Sequence, residues 1–309
     1  MNSKMKHLSA ALIALISVLV IISCSSATAG NKNETRAEAK EKKVLYVTHE
    51  PGKYHKYTPQ LAEFKKIAEE AKWKLTVITG TMEELIENLK KPDFAKGYDA
   101  IVYNFCLAHC ADLEACENTI AQTRDNGVPA MLIHCSMHSF WNTYKPGKKK
   151  KDKETGKITP AQSTVDMGYK GNAKANEAAV RQWEKENPDK SFPIWGDFTG
   201  IASTSHGKHA PVNIEVIKKD HPAVKGIAEK FIFSGKTELY NNFYVTDKVV
   251  SIAKGEQGGN EYVVLWTCPQ GKSQVLGFTM GHAMPDWQTE EFKKIMINSV
   301  NYLIENPQP

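Results

Sequence analysis

The sequence predicts an α/β protein with a doubly wound, mostly parallel sheet and helices on both faces. Apolar runs rich in β-branched residues, such as KVLYVT at 43–48, alternate with segments of helical period. These runs are apolar at successive positions, which is typical of strands covered on both faces. The alternation has the spacing of right-handed crossovers, so we expect neighbouring strands to run parallel.

The elements of the first half follow in order. Strands are predicted at 43–48, 74–79, 98–104 and 129–134, with helices from Thr58 to Trp73, from Thr81 to Leu89 and from Leu113 to Asp125. Thr58 is expected to cap the first helix, with Pro59 at its first position. Thr81 and Glu84 have the spacing of a capping box for the second helix.

After the fourth strand the alternation becomes irregular. Residues 142–198 are predicted to form an insertion, with a helix near 176–186. Later strands are expected at 212–217, 261–267 and 274–279. An amphipathic helix at 289–304 closes the fold, with residues 292, 295, 297, 300 and 303 facing the sheet.

The N-terminus has the pattern of a lipoprotein export signal. Lys4 and Lys6 precede an apolar run that suits a signal peptide and is short for a membrane span. The run ends in Ile21-Ile22-Ser23-Cys24, so we expect cleavage after residue 23 and a lipid on Cys24; an uncleaved anchor helix is the alternative. Both place the protein in the cell envelope, on the periplasmic or the outer-membrane side.

The residues after the anchor predict a tether and then one domain. Residues 24–42 are small, polar and charged and lack an apolar period, which is typical of a flexible linker. Residues 43–309 are ample for a single hydrophobic core.

The composition does not favour a nucleic-acid binder. Without residues 1–23, 38 basic residues face 35 acidic ones, so the chain is nearly neutral. A basic cluster at 145–153 lacks interleaved aromatic residues, which is typical of a solvated loop; a polyanion site is the alternative. The sequence has no glycine-rich phosphate loop, which argues against a nucleotide cofactor.

The cysteines predict buried thiols with at most one disulfide. Beyond the anchor there are five, an odd number: Cys106, Cys110, Cys116, Cys135 and Cys268. An exported protein permits disulfides, and Cys110 and Cys116 are close enough in sequence to bridge. Cys135 follows a strand, but no glycine flanks it as a nucleophile elbow requires, so a structural thiol is favoured.

Polar residues gather where the predicted strands end, which is where open parallel sheets bind ligands. Histidines are prominent among them, at His134, His138 and His282. His206 and His209 could supply two ligands to a divalent metal such as zinc. His134 and His138 could also do so if a helical turn brings them together. No carboxylate ligand is evident from the spacing.

A set of short segments across 43–304 is similar, in the same order along the chain, to segments of the trehalose-utilisation (ThuA-like) family. The fold of this family is of the class I glutamine-amidotransferase-like type. The segments are KVLYVT, Tyr103-Asn104, Ile133-His-Cys-Ser-Met-His-Ser-Phe140, Gly200 with His206, Asp220-His-Pro-Ala-Val-Lys-Gly226, Thr237-Glu-Leu-Tyr240, Val264-Leu-Trp-Thr267, Gly271-Lys-Ser-Gln-Val275 and Gly281-His282. The amidotransferase triad departs here, because Cys135 lacks its glycine elbow and His282 is not followed by a glutamate two residues on. Glutaminase activity is therefore not expected.

The resemblance implies a sugar-related role and a pocket with particular residues. These residues are His134, His138, His206, Glu238 and His282, with Asn104 nearby. We expect an enzyme that acts on a carbohydrate or an oxidised sugar derivative by acid–base chemistry, with or without a divalent metal. His134 or His282 would be the base, Glu238 the acid or an orienting group, and Trp141 a stacking platform for the sugar. A non-catalytic sugar-binding lipoprotein and a cysteine amidotransferase or peptidase are the alternatives.

Overall fold

The computed structural model describes most of the predicted domain. The described residues are 41–108, 110, 112–140, 150–151, 158–159, 185, 195–203, 205–242 and 244–308. All of them belong to one compact unit. The export signal, Cys24 and the tether lie outside these residues, as does most of the predicted insertion with its helix near 176–186.

The helices and strands of the described residues follow in chain order. The α-helices are α1 (Tyr57–Glu70), α2 (Met82–Leu89), α3 (Leu113–Arg124), α4 (Trp195–Thr199), α5 (Met284–Trp287) and α6 (Glu290–Glu305). The strands are β1 (Lys42–Val47), β2 (Trp73–Ile78), β3 (Ala100–Tyr103), β4 (Ala130–Ile133), β5 (Lys150–Lys151), β6 (Ile158–Thr159), β7 (Ile201–Ala202), β8 (Val212–Val216), β9 (Lys230–Phe233), β10 (Tyr244–Val245), β11 (Val250–Gln257), β12 (Asn260–Gln270) and β13 (Ser273–Phe278). Short 3₁₀ helices cover His134–His138 and Pro222–Val224.

Nine strands form one sheet in the order β2-β1-β3-β4-β13-β12-β11-β8-β9. The pairs from β2 to β13 are parallel, and the pairs from β13 to β9 are antiparallel. The α/β class with a doubly wound sheet is therefore confirmed, and the sheet is mixed along its length. Its carboxyl-terminal edge at β3, β4 and β13 is where the predicted histidines lie.

Two apolar layers cover the two faces of the sheet. Val47 and Ile101 point to one layer, which α2 and α3 cover, whereas Val44 and Tyr46 point to the other, which α1 and α6 cover. The alternation of these side chains along β1 follows from the two-residue period of a strand. Burial on both faces explains why the parallel strands are apolar at successive positions.

The local predictions agree with the structure where the chain is strongly periodic. The capping box is present, since Glu84 N–H donates to Thr81 Oγ1 and Thr81 N–H donates to the Glu84 carboxylate. The last helix begins after Thr289, whose hydroxyl caps it. Strands β9 and β11 were not predicted. Strand β9 has only four residues and begins with the exposed Lys230, and β11 carries Lys254, Glu256 and Gln257 at half-buried positions that break its apolar run.

The predicted cap of the first helix is wrong. Helix α1 begins at Tyr57, and the residue before it, Lys56, makes no side-chain cap. The carboxylate of Glu50 instead accepts hydrogen bonds from the backbone N–H groups of Tyr57 and Thr58. A carboxylate is well suited to this end of a helix because the helix dipole is positive there.

Within the described part of the chain, no helix combines the length and the apolarity that crossing a bilayer requires.

Replacing Glu50 with alanine should destabilise the domain, whereas replacing Thr58 with alanine should not. Glu50→Ala removes the acceptor of two helix N–H groups, and we expect a loss of about 1 kcal/mol of unfolding free energy. Thr58→Ala should change it by less than about 0.5 kcal/mol. Urea unfolding followed by circular dichroism measures both, and equal losses would contradict the cap assignment.

His221 should make stability depend on pH. Burial lowers the pKa of His221, and Lys218 lowers it further while Asp220 opposes this; its Nδ1 accepts from Ala223 N–H. Below about pH 6.5 the unfolded chain takes up a proton here that the folded chain does not, so this contribution to stability is lost as pH falls. His221→Asn keeps an acceptor for the cap and removes the titration. Urea unfolding from pH 8 to pH 5 should show a steeper decrease of the unfolding free energy in the parent than in the variant. An equal decrease in both proteins would contradict the role of His221.

Candidate active site

The ends of the paired strands β4 and β13 bring the candidate site together. His134 directly follows β4, and His282 follows β13 after a short turn. His206 and His209 lie between β7 and β8, and Glu238 lies between β9 and β10. Four distant segments of the chain therefore converge on one edge of the sheet.

Four imidazoles surround the carboxylate of Glu238, and we call these five residues the histidine–glutamate cluster. His209 Nε2 is 2.6 Å from Glu238 Oε1, and His282 Nδ1 is 3.3 Å from the same oxygen. His134 Nε2 is 3.4 Å from Oε2, and His206 Nε2 is 3.5 Å from Oε1. The structure thus brings together His134, His206, Glu238 and His282, which the resemblance placed in one pocket, and adds His209, which the sequence offered only as a metal ligand.

Burial in the cluster is graded from the interior to the surface. The side chains of His134 and Glu238 are 2% and 6% exposed, whereas those of His206 and His209 are 32% and 49% exposed. His282 is intermediate. The cluster is therefore open to solvent on the side of His206 and His209, with Glu238 on its interior side.

The tautomer of His134 follows from its hydrogen bonds. Its Nδ1 is 2.6 Å from the carbonyl oxygen of Thr279, and a carbonyl only accepts, so Nδ1 carries the proton. In the neutral ring Nε2 is then an acceptor, and it lies 2.9 Å from the hydroxyl of Tyr240, which donates to it. The lone pair of Nε2 also faces Glu238, so a proton or a cation between them would satisfy both.

His206 is anchored in the same manner. Its Nδ1 lies 2.7 Å from the carbonyl oxygen of Gly207 and donates to it, which leaves the Nε2 lone pair directed at Glu238. Backbone carbonyls that hold one imidazole nitrogen commonly orient the other toward a metal. Ligand atoms of His206, His209 and Glu238 lie within 4.8 Å of one another, so these three residues could hold a divalent ion.

His55 is a member of this region that sequence reasoning missed. Its ring centroid is 4.8 Å from that of His134 and 5.0 Å from that of His282, and the three form a second group within metal-ligand reach. Burial lowers the pKa of His55 to about 2, with the two neighbouring histidines adding to the effect. Its position in the loop after β1, at the same sheet edge, was the available signal.

Glu238 is held as a carboxylate. Burial by itself would raise its pKa, but His134 and His282, when protonated, donate hydrogen bonds to it and place positive charge beside it, which lowers the pKa well below the ordinary range. Of the two roles predicted for Glu238, an acid or an orienting group, this environment favours the orienting group.

His138 supports the cluster from behind. It is fully buried, and its ring stacks on Tyr240 with centroids 4.1 Å apart and planes 16° apart. Burial lowers its pKa to about 3, and the charge of His134 lowers it further. Stacking fixes the ring whose hydroxyl donates to His134, so Tyr240 is a second residue whose place in the site only the structure reveals.

Asn104 lies one layer below the cluster. Its amide donates to the hydroxyl of Tyr46 at 2.7 Å and to Gln60 Oε1 at 2.9 Å. Gln60 in turn donates to the carbonyl oxygens of Gly281 and His282. These contacts position the loop that carries His282, and the predicted contact of Asn104 with substrate stays a prediction.

Two predicted residues remain, the stacking residue Trp141 and the cysteine Cys135. Trp141 lies outside the described residues. Cys135 is buried, and burial raises its pKa well above the ordinary value, which does not suit the nucleophile of an amidotransferase or peptidase that must attack an incoming substrate. The positive backbone φ after β4, 47°, belongs to His134, so the residue displayed by the strained turn is the histidine before the cysteine.

Comparisons with known proteins agree with this architecture. A family model described as "Trehalose utilisation" matches residues 43–303. A ThuA-like protein from Bacteroides uniformis superposes with a TM-score of 0.57 at 13% identity, covering 87% of this chain and 94% of that one. A ThuA-like protein from Parabacteroides merdae gives 0.56 at 15% identity, covering 86% and 90%. None of the curated proteins compared with this chain matches it. The family model spans nearly all of the described domain, and the chain belongs to the trehalose-utilisation (ThuA) family.

Proposed function

We propose that this chain is an exported, lipid-anchored enzyme that acts on a carbohydrate or an oxidised sugar derivative by histidine–glutamate acid–base chemistry. The observation that carries the proposal is the convergence of four imidazoles on the buried carboxylate of Glu238. The family's description supports a sugar as the substrate class. The lipobox that ends at Cys24 supports export and anchoring.

His134 is the base in this proposal. Its Nδ1 proton is committed to the Thr279 carbonyl, so Nε2 alone is available to take a proton. A sugar hydroxyl, or a carbon next to a sugar carbonyl, would lose its proton to this nitrogen. The Tyr240 hydroxyl, which donates to Nε2 in the structure, must turn away or be displaced by the substrate.

Glu238 and His282 complete the proton path. His282 Nδ1 lies 3.4 Å from His134 Nε2 and 3.3 Å from Glu238 Oε1, so a proton accepted by one imidazole can be shared with the other. The carboxylate stabilises the imidazolium that forms, because it is close and shielded from water. Glu238 therefore orients and stabilises without itself taking up the proton.

The residues present also fit a divalent metal. His206 and His209 with Glu238 are two imidazoles and one carboxylate on the solvent side of the cluster, a ligand set that zinc and iron use with positions left open. Such an ion would supply a Lewis acid for a substrate oxygen. The carbonyl of Gly207 orients His206 for this role.

Replacing His134 with alanine should strongly slow turnover with little effect on substrate binding. Loss of the base should lower kcat by roughly 10²- to 10⁴-fold. Trehalose, other disaccharides and their keto derivatives are the probes, and their consumption is followed by nuclear magnetic resonance. His221→Asn is the matched control, since that histidine lies outside the cluster.

Each outcome of this screen separates the hypotheses. A folded His134→Ala variant with full activity would remove that histidine from the mechanism. Thermal stabilisation by a sugar that the parent protein leaves unchanged would make it a sugar-binding lipoprotein instead. Hydrolysis of an amide substrate that Cys135→Ser abolishes would establish the cysteine enzyme.

The metal should be lost when both exposed histidines are replaced. Protein purified without chelator and supplied with zinc should hold about one ion per chain, and the variant with His206→Ala and His209→Ala should hold none. Inductively coupled plasma mass spectrometry measures both, with His221→Asn as the control. Equal metal content in the double variant would assign the ion to the group of His55, His134 and His282 instead. A parent protein that holds no metal would indicate metal-free acid–base chemistry.

A further inference from the structure

Two cysteine sulfurs meet beside the histidine–glutamate cluster. Cys106 follows β3 and Cys135 lies in the turn after β4, and these two strands pair in parallel. Their Sγ atoms are 2.7 Å apart, which is about 0.7 Å longer than a covalent S–S bond. Both residues are thiols, and both are buried. A small movement of either side chain would bring the sulfurs to bonding distance.

A cavity borders one of the two cysteines. It has a volume of about 440 Å³, and Cys106 lies in its wall together with His49, Lys53 and Tyr54 from the segment after β1. Cys135 is not part of this wall and lies behind Cys106. A small molecule that enters the cavity therefore meets Cys106 first.

The same wall carries polar groups that could hold such a molecule. His49 is 2% exposed, and among the described residues its Nδ1 has no hydrogen-bond partner. Lys53 adds an ammonium group at the cavity. A donor and a positive charge next to a thiol suit an anionic disulfide with carboxylate groups.

We propose that Cys106 and Cys135 are a reversible dithiol–disulfide pair, which exchanges with a low-molecular-weight disulfide that reaches Cys106 through this cavity. The pair shares no residue with the acid–base machinery, so this proposal does not depend on the proposed function. It also differs from the bridge between Cys110 and Cys116 that sequence distance alone suggested.

The exchange proceeds in two balanced steps. Cys106 loses its proton to solvent, and its thiolate attacks one sulfur of the incoming disulfide; a mixed disulfide forms and one thiolate leaves. Cys135 then loses its proton, attacks the Cys106 sulfur and releases the second thiolate. The two leaving groups take up the two protons, so the protein dithiol is oxidised by two electrons and the incoming disulfide is reduced to two thiols.

Thiol trapping of the purified full chain tests the proposal. The reduced protein is incubated with glutathione disulfide, denatured in N-ethylmaleimide and weighed by intact mass spectrometry. We expect two fewer maleimide adducts than in the reduced sample, a peptide that joins Cys106 to Cys135, and full recovery with dithiothreitol. If all five cysteines beyond Cys24 still take up maleimide after this incubation, or if the disulfide joins other positions, the proposal is overturned. Neither result requires any variant to fold.

Single serine variants assign the order of attack. Cys135→Ser should stop at the mixed disulfide and gain one glutathionyl group on Cys106, whereas Cys106→Ser should gain none and keep its remaining thiols. Cys268→Ser is the matched control, because this buried cysteine lies elsewhere in the fold and the pair should still form. Glutathionylation of Cys106→Ser at Cys135 would overturn the assigned order.

Discussion

A carboxylate that leaves water must be balanced by hydrogen bonds or by positive charge, and in this protein Glu238 imposes that requirement on three other loops. Its oxygens lie within 3.5 Å of nitrogen atoms from His134, His206, His209 and His282. These histidines come from three separate loops, after β4, between β7 and β8, and after β13, so the balance holds only when the sheet is assembled. The same arrangement that stabilises the buried charge also aligns groups capable of moving protons.

The support of this cluster reaches into the core of the domain. The Thr279 carbonyl at the end of β13 fixes His134 at the end of β4, and β4 and β13 are neighbouring parallel strands. A second chain of contacts runs from Tyr46 through Asn104 and Gln60 to the loop of His282. The precision of the site therefore comes from strand pairing and buried polar contacts, which are stiffer than the surface loops.

Much of the fold was predictable because strongly periodic segments report burial directly. The parallel strands, the helix capped by Thr81 and the last helix agree with the structure to within a few residues. The antiparallel half was less predictable, since β11 carries polar residues on one face. The cap of the first helix came from Glu50, seven residues away from Tyr57, and no rule of local spacing identifies such a partner.

The sequence by itself determined the fold class, the polar residues at the strand ends and the family resemblance, because each depends on local pattern. Only the tertiary structure decided that His209 contacts Glu238, that His55 and Tyr240 join the cluster, and that Asn104 bonds to Tyr46 beneath it. It also decided that Cys106 meets Cys135. These contacts join residues that are distant in the chain, and the physical reason is that their distances are set by strand order and loop packing, which sequence spacing does not encode.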